Sequence, residues 1–238
     1  SKERIDYLLD LNEILGPKMS ARLPGFAKRF LRKRLHLDQI NDCIMKAEHY
    51  AGAGFFDEAL DYIGIRYKTR GEDNLDLSKN YIFACNHPLG GPEALIIGSV
   101  FKRIYGDGFK VPANQILYNM KPLQEFFVPV KVQAGRQNRD IADRLAKMFE
   151  SDCQILVFPA GLCARTFKGV ITEMPWKKMF ITQARKYERD VMPVHISGHN
   201  SRWYFFLSWL SRTLDLKMNL GMLFLVDELF NKAGEEFV

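Results

Sequence analysis

The segment "ACNHPLGGPE" (residues 84–93) closes a short apolar run, "NYIFACN" (80–86), and opens a helix-like stretch at Pro92. A run that short and that apolar predicts a strand buried on both faces. Pro92 suits the first position of a helix. The pair Gly90-Gly91 permits a tight backbone path between the two elements. The segment reads as strand, turn and helix, with a histidine, His87, in the turn and a carboxylate, Glu93, in the first helical turn.

Outward from this segment the same alternation recurs. "FFVPVKV" (126–132), "QILVFPA" (154–160) and "VMPVHIS" (191–197) are strand-like, and "IGIRYKTRG" (63–71) alternates as a strand does. "RDIADRLAKMFE" (139–150), "PWKKMFITQARKYER" (175–189) and residues 201–214 are helical in pattern. "NLGMLFLVDEL" (219–229) is expected to contain a last strand. Upstream, residues 1–15, 24–36 and 38–64 are helical, the last with a break near Ala51–Gly54. This order predicts an α/β fold, a mixed, mostly parallel sheet flanked by helices, with a helical N-terminal prefix. The expected division is a helical region over 1–62 and an α/β domain over 63–238.

The chain has 238 residues and is 47% hydrophobic, enough for a sizeable core. Four scattered cysteines show no C-x-x-C pair and no zinc spacing, so free thiols and no metal are expected. No apolar run approaches the ~20 residues of a spanning helix, and no signal peptide is visible. The net charge of +6 is concentrated. Residues 17–37 carry Lys18, Arg22, Lys28, Arg29, Arg32, Lys33 and Arg34 and no acid, leaving the remainder near neutral. A solvated helix face is the plain reading of this stretch. The sharper one is an interfacial helix, residues 18–36, on an anionic membrane surface, with Phe26, Phe30 and Leu31 as its apolar stripe. A nucleic-acid surface would need interleaved aromatics not otherwise evident, so no nucleic-acid partner is expected. The apolar "WYFFLSWL" (203–210) reads as core, with an interfacial or acyl-lining role as the alternative.

Walker, dinucleotide, nucleophile-elbow and zincin motifs are absent. Chemistry-bearing residues collect instead at strand ends: Asn86 and His87 after the first strand, Arg136 and Arg139 in "GRQNRD", and "FPAGLCAR" after 154–158. In open α/β sheets, ligands bind outside the carboxyl ends of strands, so these blocks can form one pocket. His195 and His199 read as structural. Cys163 is a conceivable nucleophile, but nothing near it in sequence activates it.

The order N-H-P-L-G-G-P-E, an R-x-x-R block, F-P-A-G and V-x-P-V resembles the glycerolipid acyltransferase superfamily, the glycerol-3-phosphate and lysophosphatidic acid acyltransferases. "NHPLGG" and "FPAGLCAR" are most similar to its bacterial hemolysin-like branch, which includes ornithine and glycine lipid acyltransferases. The resemblance spans roughly residues 80–200. It implies an enzyme that moves a fatty acyl group from acyl carrier protein or coenzyme A to an amine or hydroxyl of a membrane-lipid precursor, an amino-acid lipid or a lysophospholipid. No bound cofactor is implied; the acyl thioester is a substrate. His87 is implied as general base and Glu93 as the carboxylate that orients it, like two members of a serine-protease triad. Asn86, Gly90, Gly91, Arg136, Arg139, Pro159, Gly161 and Arg165 are implied as substrate-binding, with N–H groups near Gly90-Gly91 or Gly161 facing the oxyanion. The implied location is peripheral, on the cytoplasmic side of a bacterial inner membrane, with acyl carrier protein as a possible partner.

The chain departs from the usual pattern twice. Five residues, not four, separate His87 from a carboxylate that is Glu rather than Asp. In the block usually written P-E-G-T-R, Ala160 replaces Glu and Cys163 stands where Arg would, while Arg165 can supply the charge two positions later. The second departure points to a changed acceptor. The first leaves a rival reading open, a catalytically impaired acyl-lipid binding protein, in which Glu93 merely complements the helix N-terminus.

Overall fold

A computed structural model describes residues 9–47, 52, 54–114, 123–130, 139–167, 169–214 and 224–238. The chain opens with α1 (Leu11–Leu15), α2 (Pro17–Arg22), α3 (Gly25–Arg34), α4 (Leu37–Ala47) and α5 (Gly54–Ile63). There follow β1 (Arg66–Tyr67), β2 (Tyr81–Cys85), α6 (Pro92–Tyr105), β3 (Phe109–Asn114), β4 (Phe127–Val130), α7 (Arg139–Glu150) and β5 (Gln154–Val157). The rest comprises β6 (Arg165–Phe167), β7 (Val170–Thr172), α8 (Met179–Lys186), β8 (Asp190–Val194), α9 (Arg202–Thr213), α10 (Leu225–Asn231) and β9 (Glu236–Phe237).

Five strands form one sheet in the order β4-β3-β5-β2-β8, every neighbouring pair parallel. All five residues of β2, an interior strand, are buried, because helices cover both faces. Successive side chains alternate between those faces. Tyr81, Phe83 and Cys85 join the core under α5 and α6. Ile82 and Ala84 join the second core, with Met148 and Phe149 of α7 and Phe180 and Ala184 of α8.

The helical prefix is tied into the first core. Phe56 of α5 packs among Phe109 and Phe126, with ring centroids 5.6 and 5.4 Å away. Gly98 of α6 makes room for it: a Cβ there would stand 2.3 Å from the Phe56 ring.

Several elements differ from the sequence expectation. Residues 219–223 lie outside the described residues, and the segment after them is the helix α10, not a strand. Its Leu225 and Leu229, four apart, both face the Gly90-Gly91 turn, which fixes a helical period. The strand expected over 63–71 shortens to Arg66–Tyr67, paired in parallel with β9. β3 and the antiparallel β6–β7 hairpin had no clear signal. In β3 the internal Pro112 masks a strand. The helix expected from 175 starts at Met179.

Candidate active site

β2 delivers His87 just past its carboxyl end, between β5 and β8. Asn86 fixes the strand's exit: its Nδ2 donates to Ile196 O (2.9 Å) and its Oδ1 accepts from Ile196 N (2.8 Å), tying the turn to the chain beyond β8. Asn200 Nδ2 donates to Leu89 O at 2.9 Å. Asn86 thus holds the turn.

The turn then folds back so that α6 aims Glu93 at the histidine. Glu93 Oε1 lies 2.7 Å from His87 Nδ1 and accepts from the backbone N–H groups of Leu89 (3.1 Å) and Gly90 (2.6 Å). Glu93 is fully buried, while 15% of the His87 side chain is exposed. A buried carboxylate needs such partners. The pairing forms with the longer side chain and the added residue both present. Gly90 adopts φ +98°, and a Cβ on it would meet Cys163 Sγ at 2.6 Å and Leu225 at 2.8 Å.

The other ring nitrogen faces Cys163, with Nε2 to Sγ 3.6 Å. The His87 ring stacks on Phe158 at 4.4 Å between centroids. Its backbone is fastened on both sides: Ala164 N donates to His87 O (2.9 Å), and His87 N donates to the Glu173 carboxylate, which also accepts from Trp176 Nε1. Burial pushes the imidazole pKa down, but the Cys163 sulfur and the Glu93 carboxylate, one at each nitrogen, outweigh it and hold the pKa well above the ordinary histidine value.

Not every expected residue converges here. Pro159 and Gly161 form the turn after β5, beside the His87–Phe158 stack. The Gly161 N–H already donates to Phe158 O (2.9 Å) and the Gly90 N–H to Glu93, so neither is available to an oxyanion in this arrangement. Gly91 caps α6 beside Leu229. Arg165 leaves the Cys163 turn at the start of β6, with its Nε buried and unpaired among the described residues. Arg139 is exposed at the first position of α7. Arg136 lies outside the described residues. Sequence reading missed Glu173 and Asn200, and placed Cys163 in the right block without its contact to His87. Among the described residues no His/Cys/Asp/Glu cluster could hold a metal. A cavity of about 540 Å³ bordered by Lys79, Asp152 and Arg189 sits at the amino ends of β2 and β8, away from His87.

A histidine gripped by a carboxylate at Nδ1, with Nε2 turned toward a strand-end turn, can take a proton from a hydroxyl. The acyltransferase family profile matches residues 11–238. The chain belongs to the acyltransferase family. This acyltransferase is 34% identical over 234 residues to the lyso-glycine lipid O-acyltransferase of Bacteroides thetaiotaomicron, covering 97% of this chain and 86% of that protein. It is 30% identical over 234 residues to the protein of the same name from Phocaeicola vulgatus, covering 97% and 84%. The resemblance carried by the four short blocks therefore extends over nearly the whole acyltransferase, prefix included. No helix among its described residues is long and apolar enough to cross a membrane.

Proposed function

We propose that the acyltransferase esterifies the hydroxyl of a lyso-glycine lipid with a fatty acyl group taken from acyl carrier protein or coenzyme A, with His87 as general base. The observation that carries the mechanism is the 2.7 Å contact between Glu93 and His87 Nδ1, which directs Nε2 outward as the proton acceptor. The acceptor class follows the names of the two relatives and the replacement of the usual Glu and Arg by Ala160 and Cys163.

The acceptor hydroxyl takes a place beside Cys163 at Nε2. Its oxygen attacks the thioester carbonyl as His87 takes its proton, giving a tetrahedral oxyanion. Collapse breaks the C–S bond, and the departing thiolate takes the proton back from the imidazolium. Glu93 stabilises that cation. Arg165, with Arg136 and Arg139, is assigned to anionic groups on acceptor or donor.

The acyltransferase works at the cytoplasmic face of the membrane. The basic helix α3 supports this: it buries no residue, leaves Phe26 78% and Phe30 59% exposed, and ends on Arg32, Lys33 and Arg34. Competing acceptors test the specificity. Transfer to lyso-glycine lipid that exceeds transfer to lysophosphatidic acid and to free glycine supports the assignment. A preference for lysophosphatidic acid overturns it.

A further inference from the structure

The acyltransferase carries a second exposed apolar surface, separate from α3 in sequence. On α9, Trp203, Phe206 and Trp209 are 50%, 46% and 48% exposed. They are spaced by three and form one ridge, with ring centroids 5.5 Å apart for the first pair and 6.0 Å for the second. The hairpin beside it adds Phe167, Val170 and Ile171, all exposed. Arg212 Nη2 of α9 donates to Thr166 O of β6 at 3.2 Å, so ridge and hairpin are adjacent. Monomeric soluble proteins rarely leave such a contiguous apolar face to water.

We infer that this ridge and hairpin insert into the headgroup–acyl boundary of the bilayer and admit the acceptor lipid to His87 from that side. Three observations select a membrane as the occupant. Trp and Phe on a helix with Arg202 and Arg212 at its ends match the chemistry of an anionic interface, apolar below and charged at its rim. The ridge is also fastened to the basic helix through α10. Asp227 takes Arg34 (3.2 Å) from the end of α3 and His36 (2.9 Å) from the turn after it, while its neighbour Glu228 takes Ser201 N (2.7 Å), the cap of α9. Both carboxylates are buried, so the two lipid-seeking helices share one support. Finally, the inner face of α9 reaches the site: Tyr204 and Phe205 form one buried cluster with Cys163, whose Sγ is 3.6 Å from His87 Nε2. The ridge and the Cys163 cluster are thus on opposite faces of one helix, at least a helix diameter of about 10 Å apart. A lipid whose chain stays in the bilayer can raise its polar end that far.

The docking does not depend on the acyl-transfer reading; the route of the acceptor does. The test compares wild type with Trp203→Ser/Phe206→Ser/Trp209→Ser and with Phe167→Ser/Ile171→Ser, in the full chain. Binding is measured on phosphatidylethanolamine–phosphatidylglycerol vesicles at low and high salt. Transfer is measured to acceptor in vesicles and to a short-chain acceptor below its micellar concentration. The expected result is vesicle binding weakened about tenfold or more in both variants, with a deficit that persists at high salt because apolar insertion is not screened. Transfer to vesicle acceptor falls in step, while transfer to monomeric acceptor stays within about twofold, as for surface substitutions away from the site. Brominated lipids quench Trp203 and Trp209 in a Trp176→Phe background. Unchanged vesicle binding overturns the proposal. So does wild-type dimerisation that the triple variant abolishes with vesicle binding intact, since a second copy then covers the ridge. Equal loss on both acceptors overturns the acceptor route. Ridge-dependent binding without transfer to either acceptor by wild type leaves the docking standing and removes the proposed reaction.

Discussion

Glu93 reaches His87 across one more residue than the usual motif allows, and its Oε1 lies 2.7 Å from Nδ1. The same oxygen caps the N–H groups of Leu89 and Gly90, so one carboxylate both closes the turn and orients the His87 ring. The contact forms in spite of both departures, in spacing and in side-chain length. The family match and this contact both weigh against the reading as an impaired binder.

Shortening that side chain removes one of the departures and leaves the other. Glu93→Asp withdraws the carboxylate by one methylene from a fully buried position, and the flanking turn cannot follow it without giving up its two N–H bonds. Its kcat should fall by about 10²-fold or more, the range of a misplaced acid–base partner. Glu93→Gln keeps the shape but not the charge and should fall further. Steady-state transfer assays check both, with circular dichroism to confirm folding.

The raised pKa of His87 gives the reaction a pH signature. A general base works as the neutral imidazole, so kcat/KM should climb with pH through a midpoint above the ordinary histidine value of about 6.5. Removing either raising group moves that midpoint down: Glu93→Gln and Cys163→Ala should both shift the acid limb toward lower pH. For stability the sign is the opposite of the usual carboxylate case. A histidine whose folded pKa exceeds its unfolded value contributes stability below the unfolded pKa, and that contribution is lost as pH rises through the folded one. Thermal midpoints across this window should decline for wild type more than for His87→Gln.

Cys163 occupies the space at Nε2 that an acceptor oxygen must share. Cys163→Ala should leave transfer measurable, because direct attack on the thioester needs no protein nucleophile. Alkylation of Cys163 by a maleimide should abolish transfer in wild type and not in Cys163→Ala. Peptide mass spectrometry identifies the modified residue.

Gly90 cannot carry a side chain. Its φ of +98° is costly for any L-residue, and a Cβ would strike Cys163 and Leu225. Gly90→Ala should cost about 1–3 kcal/mol in stability and lower kcat by displacing the His87 turn. Denaturant unfolding and kinetics on the same preparation measure the two effects.

The part of the site legible in sequence is the part that is local. His87 and Glu93 are six residues apart, and the strand–turn–helix signal between them is strong. Cys163 was visible within its block, but its contact with His87 spans 76 residues and depends on β2 and β5 lying side by side. Glu173 and Asn200 bind the same turn from 86 and 111 residues away, and polar residues in irregular segments carry no periodic signal. The fold shows the same divide. The apolar strand β2 declared itself, whereas "LFLV" at 223–226 has strand-like composition and adopts a helix at its described end because Leu225 and Leu229 must both cover the glycine turn. The exposed aromatics of α9 illustrate the limit of hydropathy: composition cannot separate a core helix from one with an exposed outer ridge.

The central claim is that His87 is the base in transfer to a lipid hydroxyl. The most direct measurement follows labelled acyl groups from an acyl thioester to lyso-glycine lipid, with wild type and His87→Ala compared at equal folded concentration. The account predicts a loss of about 10²–10⁴-fold in kcat for His87→Ala, the range of general base catalysis, with donor KM little changed. Undiminished transfer by His87→Ala would contradict it.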